Sequence, residues 1–253
     1  MGEPRSFRVE AIVLRHSDWG EADRLLVLYA RERGKLRALA KGARRIKSRK
    51  AGHLEPFTRV TLQLARGRDL PIVTQAETLD PYFPLREDLI RMAHAAWAVE
   101  LLDRFTYEDA AENLAVFSLL AETLKRLAVE ADPWLALRYY EVRLLDLLGF
   151  RPRLFECVEC RKAIEPVNQY FSPTLGGVLC PSCGEGRKDL WAISVDALRY
   201  WRHFQRSEYT EARRAAPSSA TRNELEHLLQ GYETYLLERS LHAPSFLRQL
   251  KQR

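Results

Sequence analysis

The apolar residues of this chain change their period at Pro81 and Pro84, and that change limits the possible folds more than any other feature. Before it they come in short runs: FRVEAIVLR (7–15), RLLVLYAR (24–31), KLRALAK (35–41), FTRVTLQLA (57–65) and LPIVTQAETL (70–79). Runs of this length and composition predict five strands, separated at Gly20, Gly34, Gly42 with Gly52, and Gly67, all natural turn sites. In the fourth run Val60, Leu62 and Leu64 alternate with Arg59, Thr61 and Gln63, which predicts one buried and one wet face. Five short antiparallel strands fit a small β-barrel of the OB type, and an SH3-like barrel would share the pattern.

After the prolines the spacing becomes helical. Leu85 to Phe105 is apolar nearly all round, as expected of a central bundle helix. Asn113 to Glu130 predicts a second helix. A third opens at Asp132-Pro133-Trp134, with Asp132 as cap and Pro133 at the first helical position, and should stop near Gly149. Further helices are expected after Ser194 and after TRNE, where Thr221 and Glu224 read as a capping box, with RRAAPSSAT (213–221) as an exposed linker. The expected class is therefore α+β multidomain: an N-terminal five-stranded OB-fold barrel over 1–80, then an α-helical bundle over 81–253 with a four-cysteine zinc-binding module inserted at 155–187.

That module follows from the cysteines. All four lie in one segment as Cys157-x2-Cys160 and Cys180-x2-Cys183. Each CxxC turn directs two thiolates at one point, and two such turns complete a tetrahedral zinc site. Gly176-Gly177 reads as the hairpin that returns the second pair. Gly184 is expected to let the chain turn with its amides toward sulfur. Two disulfides or a redox pair are the competing readings; an intracellular setting disfavours the first and the duplication of CxxC the second. Four protein ligands close the coordination, so the expected Zn2+ is a single structural ion. Arg161, Lys162, Arg187 and Lys188 would offset its net negative charge.

Charge is distributed unevenly. The formal net charge is +6, yet residues 1–80 hold 17 basic against 10 acidic residues, and the other 173 hold 23 against 24. Ten cations fall between Arg31 and Lys50, with Glu32 the single acid. A charge run is most often a solvated face, but this one spans a strand and the loop after it, so its cations would line one side of a barrel. A phosphate backbone would relieve their repulsion on binding. Trp19, Tyr29 and Phe57 are near in sequence and are read as core.

Other classes find less support. No signal-type apolar region or membrane-length stretch occurs, so a cytoplasmic protein is expected. MGEPRS fits the loose myristoylation pattern, but nothing else points to a membrane. The six histidines are scattered, and no GxSxG, P-loop or paired-glycine nucleotide motif is present. A binding protein is expected rather than an enzyme, with a zinc-ribbon regulator of nucleic acid as the alternative.

The segment HSDWGEADRLLVLYARERGKLRALAKGARRIKSRKAGHLEPFTRV (16–60) resembles the N-terminal signature of the RecO family of bacterial recombination mediators. LRYYEVRLLDLLGF (137–150), FECVEC and FSPTLGGVLCPSC are similar to that family in order and spacing. The resemblance implies an OB domain ahead of a helical domain carrying a zinc module, and a protein that binds single- and double-stranded DNA and anneals complementary strands. It also implies partnership with RecR, contact with the C-terminal tail of single-stranded DNA-binding protein (SSB), and help in loading RecA. The matching DNA-contact positions are Arg37, Lys41, Arg44, Arg45, Lys47, Arg49 and Lys50, as a flexible clamp on the phosphate backbone. For the SSB tail the matching element is Arg138 with Tyr139 and Tyr140, where a buried structural arginine is the competing reading. The C-terminal RSLHAPSFLRQL (239–250) departs from the basic motif frequent in the family.

Overall fold

The computed structural model describes residues 5–108, 113–238, 241–244, 247 and 250. Its packing divides the chain into two compact units, Met1–Pro133 with His242–Arg253, and Trp134–Leu241. The expected boundary at residue 80 marks where strands give way to helices; the helices that follow directly are packed in the same unit as the strands.

In the first unit β1 (Ser6–Trp19), β2 (Asp23–Ala30), β3 (Gly34–Ala40), β4 (Arg59–Ala65) and β5 (Ile72–Asp80) close a barrel in the order β1-β2-β3-β5-β4. All pairings are antiparallel except the closing contact of β3 with β5, which is parallel at Leu39 and Ile72. That one parallel closure departs from the all-antiparallel expectation, and the strand order it creates is that of the OB fold. Alternation explains the core: Val9, Ala11, Leu26, Leu28, Ala38, Val60, Leu62, Leu64 and Val73 point inward and are buried.

The expected helix over 85–105 is two elements, α1 (Pro84–Glu87) and α2 (Leu89–Phe105). Asp88 interrupts it with extended backbone, and its carboxylate accepts from the amides of Ile90 and Arg91. The cap satisfies donors that an uninterrupted helix would not expose. In α3 (Leu114–Val129) Asn113 caps by accepting from the Val116 amide. Arg91 donates to the carbonyls of Leu127 (2.6 Å) and Glu130 (2.8 Å), so one cation closes the C-terminal end of α3.

The second unit is built on α4 (Pro133–Leu147), buried along most of its length. Gly149 at φ 84° ends it, with the Phe150 amide bonding the Leu145 carbonyl at 2.8 Å. Strands β6 (Gln169–Ser172), β7 (Gly177–Leu179) and β8 (Trp191–Ile193) form an antiparallel sheet in the order β7-β6-β8. The short α5 (Pro181–Gly184) follows β7. Beyond the sheet come α6 (Val195–Arg206), α7 (Tyr209–Ala212) and α8 (Ser219–Leu237). Phe171 of β6 is packed against Trp201 at 5.1 Å and Tyr232 at 5.3 Å between ring centroids, which joins sheet to α6 and α8. Ser218, not Thr221, caps α8, and Glu224 instead accepts from the Ser194 amide and hydroxyl, both at 2.6 Å. Part of the expected linker is thus the first turn of α8.

Candidate nucleic-acid interface and metal centre

The ten cations between Arg31 and Lys50 separate into two groups once the chain folds. Some are consumed by acids and carbonyls. Arg31 pairs with Glu10 at 3.1 Å, Lys35 with Asp103 at 2.7 Å, and Arg33 lies 4.1 Å over the Phe7 ring. Among the seven expected DNA-contact residues, Arg37 pairs with Glu108 at 2.7 Å and Arg44 with Asp18 at 3.1 Å, while half-buried Lys50 donates to the Val73 carbonyl at 3.0 Å. Lys41, Arg45, Lys47 and Arg49 are exposed and have no side-chain ion-pair or hydrogen-bond partner among the described residues.

Those four lie on a loop fastened at both ends. At its start the Gly42 amide donates to Asp23 Oδ1 (2.7 Å), the Arg44 amide to the Ala22 carbonyl (2.9 Å), and the Arg44 guanidinium to the carbonyls of Gly20 and Glu21 (3.4 and 3.3 Å). Gly42 needs its positive φ of 66° to present that amide. At the far end His53 Nδ1 meets Thr78 Oγ1 at 2.7 Å, and Glu55 pairs with Arg24 at 2.9 Å. Burial would raise the Glu55 pKa, but bonds and charge from Arg24 and His16 bring it below the usual carboxylate value. Where a flexible clamp was expected, the cations stand on a loop tied to β1–β2 at one end and to β5 at the other.

Of the three aromatics read as core, Tyr29 is buried, and burial pushes its pKa up to about 12. Phe57 is half-buried at φ 70°. Trp19 is instead 51% exposed. The sequence reading missed it, and missed Asp18 and Asp23 as the acceptors that fix the loop; the acids flanking the tryptophan in SDWGEAD were the available signal.

The expected tail-binding trio is buried. The Arg138 side chain is 1% exposed and lies 2.7 Å from Glu141 on the same helix. Tyr139 donates to the Ser207 carbonyl and stacks edge-on against Tyr209, and Tyr140 is fully buried. This placement fits the structural-arginine reading, not a peptide-binding surface. Half of the divergent segment at 239–250 (residues 239, 240, 245, 246, 248 and 249) lies outside the described residues; in the other half the amides of His242 and Ala243 donate to the Glu100 carboxylate at 2.9 and 2.7 Å.

The four cysteine sulfurs all lie within 4.8 Å of one another. Cys160 Sγ and Cys180 Sγ are 3.8 Å apart, close to the edge of a tetrahedron with metal–sulfur bonds of about 2.3 Å. The first turn closes with the Arg161 amide on the Cys157 carbonyl at 3.0 Å, and Arg161 itself takes φ 63°. The second closes with the Cys183 amide on the Cys180 carbonyl, and the Cys180 amide points at Cys157 Sγ at 3.4 Å. Gly184 serves by size rather than by turn geometry: a Cβ there would collide with the Tyr170 ring. Burial opposes ionisation of Cys157, but amides of Cys180, Cys160 and Glu159 bring its thiol down to about 6. Cys183 is pushed up to about 12 by its bond with Cys180, by burial and by its other cysteine neighbours. Four sulfurs this close cannot all carry negative charge without a cation to offset it. Arg187 is paired across the module with Glu159 at 2.6 Å, leaving Arg161, Lys162 and Lys188 as the exposed cations near it. The cluster fits zinc.

Residues 5–82 match the family model "Recombination protein O N terminal" and residues 86–244 match "Recombination protein O C terminal". The chain belongs to the RecO family. A DNA repair protein RecO from Roseiflexus sp. (strain RS-1) is 43% identical over 248 residues, covering 98% of this chain and 87% of that protein. Those of Symbiobacterium thermophilum and Dehalococcoides mccartyi (strain CBDB1) are 35% and 34% identical, covering 97% and 99% of this chain and 98% of each relative. Family membership makes this a protein of DNA repair and recombination. Among the described residues no helix is long and apolar enough to cross a membrane.

Proposed function

We propose that this RecO-family chain is a cytoplasmic, nucleoid-associated recombination mediator that binds single- and double-stranded DNA through the β3–β4 loop without reading sequence. In this reading it anneals complementary strands and, with RecR, helps load RecA onto SSB-coated single strands. The observation that carries it is the set of four exposed cations, without a partner among the described residues, on a loop fastened to an OB barrel. Phosphates take the place of the missing counter-charges, and the released counterions drive association. Arg45 and Arg49 can fork onto phosphate oxygens, while Lys41 and Lys47 act as point charges; neither mode selects a base. Arg37 and Arg44 join by giving up Glu108 and Asp18, so each adds less, and Lys50 adds least because Val73 holds it.

Annealing follows from the same charges. Two strands repel, a cationic surface screens them, and the duplex is the downhill product, so no nucleotide hydrolysis and no catalytic residue are required. RecR and the acidic tail of SSB are partners carried over from the family; a tail site at Arg138 would require α4 to lose its packing. Cys157, Cys160, Cys180 and Cys183 would hold one Zn2+, which closes two turns into a single structural unit and supplies no open coordination position.

The test mixes dye-labelled complementary strands with the parent and with a variant carrying Ala at Lys41, Arg45, Lys47 and Arg49. Acceleration of duplex formation by the parent alone, with equal affinity for unrelated sequences, is the expected result. Preference for one sequence by orders of magnitude would favour a zinc-ribbon regulator instead.

A further inference from the structure

Two large apolar side chains project into solvent next to the cationic loop. Ile46 is fully exposed at 105% and sits between Arg45 and Lys47; Trp19, the last residue of β1, is 51% exposed. Single exposed hydrophobes are ordinary on protein surfaces. These two occupy adjoining segments, because the loop is sewn to the β1–β2 turn by Gly42 on Asp23 and by Arg44 on Asp18, Gly20, Glu21 and Ala22. Asp18 and Gly20, the chain neighbours of Trp19, are both held by Arg44.

Strand register places the tryptophan on a defined face. Leu26 and Leu28 of β2 face the barrel interior, so Asp23 and Leu25 face outward, and Trp19 pairs with Asp23. On β3, Arg37 and Leu39 share that outward face, since they pair with Val27 and Leu25. Trp19 therefore stands on the same side of the barrel as Arg37, at the end where the loop begins with Lys41. Pairing with Arg44 neutralises Asp18, leaving Glu21 as the exposed acid of the turn.

We infer that Trp19 and Ile46 form an apolar contact for unpaired nucleobases, set beside the cations that hold the phosphates. The inference rests on the reading of the loop as a phosphate-binding surface. A base in a single strand offers an open π face, which an indole ring stacks on whatever the base is. In a duplex both faces are covered by neighbouring pairs, so the same surface gains nothing from the bases there. The contact gives the protein a preference for single strands that charge alone does not provide, and it loses its hold when a strand finds its complement.

The experiment compares three probes of equal length by fluorescence anisotropy: oligo-dT, an abasic strand with the same phosphates and no bases, and a duplex. The full-length parent should bind oligo-dT about tenfold or more tighter than the abasic strand, the value of one stacked base. Trp19→Ala with Ile46→Ala should erase that difference while leaving abasic-strand affinity and melting temperature unchanged, and Trp19→Phe should restore much of it. Equal parental affinity for oligo-dT and the abasic strand overturns the inference while leaving the phosphate reading standing. Retention of the base preference in the double variant overturns it by placing the stack elsewhere. Absence of salt-dependent binding to any probe overturns both readings, and seating of a protein partner rather than DNA on Trp19 would show as loss of that partner with oligo-dT affinity intact.

Discussion

Replacing Lys41, Arg45, Lys47 and Arg49 together by Ala should change how DNA binding depends on salt, and the size of the change can be worked from the ion-pair pattern. Each phosphate neutralised on a single strand adds about −0.7 to the slope of log affinity against log salt. If the four cations without a partner among the described residues and the releasable Arg37 and Arg44 all engage, six contacts give a parental slope of about −4, and the two left in the variant give about −1.4. Raising salt from roughly 50 to 200 mM should then weaken the parent about 300-fold and the variant only about sevenfold. Arg31→Ala is the internal control: it removes the same charge from the same run, but Arg31 stands at the β2–β3 turn, the end of β3 away from the loop, so the slope should stay at the parental value. Anisotropy titrations of a labelled oligonucleotide across that salt range measure all three lines. Parallel lines for parent and quadruple variant would refute the reasoning, as would an Arg31→Ala slope that falls by a full contact.

Three further outcomes follow from the buried charges and the metal centre. Arg138→Met removes the cation beside Glu141, whose pKa is raised well above the carboxylate range by burial, despite Arg138, with Glu233 and Glu226 adding to the rise. Both proteins lose stability alike as pH climbs past the unfolded carboxyl value, and they part only as pH passes the raised folded value of Glu141, so the loss in denaturant titrations should be constant with pH below that value and grow above it, toward the about 3–5 kcal/mol that breaking a buried charged pair costs. Burial works against ionisation of Asp103, but bonds from Lys35 and Arg15 hold its carboxyl below the usual range. Its contribution should be complete above the unfolded pKa of about 3.9 and disappear as pH falls through the lower folded value, so Asp103→Asn should flatten the acid limb of melting temperature against pH. A strong chelator, or Cys157→Ser, should release metal by elemental analysis and lower the melting temperature; metal loss with an unchanged melting curve would show that the cysteine cluster is dispensable to the fold.

The barrel was legible because its apolar runs are short and broken at turn glycines, with β4 alternating strictly, and α3 and α6 because Asn113 and Ser194 stand where a helix needs a side-chain acceptor. The break at Asp88 was hidden because the apolar residues on either side keep helical spacing. Thr221 and Glu224 satisfied the capping-box pattern, yet Ser218 offered a cap one turn earlier and Ser194 competed for the glutamate from thirty residues away. Strand β8 has three residues, too few for any period. The cation run was visible in sequence, but the partition within it was not. Nothing local distinguishes Lys35, consumed by Asp103 across 68 residues, from Lys47, which has no partner among the described residues. Trp19 shows the same limit: alternation assigns it to a face, while only tertiary packing decides which outward positions are covered.

The most direct test of the central claim is the annealing of two complementary oligonucleotides, each coated with SSB, in the presence of the parent or of the variant with Ala at Lys41, Arg45, Lys47 and Arg49. The account predicts acceleration by the parent and its loss in the variant at unchanged melting temperature. A variant that anneals the coated strands as fast as the parent would contradict it.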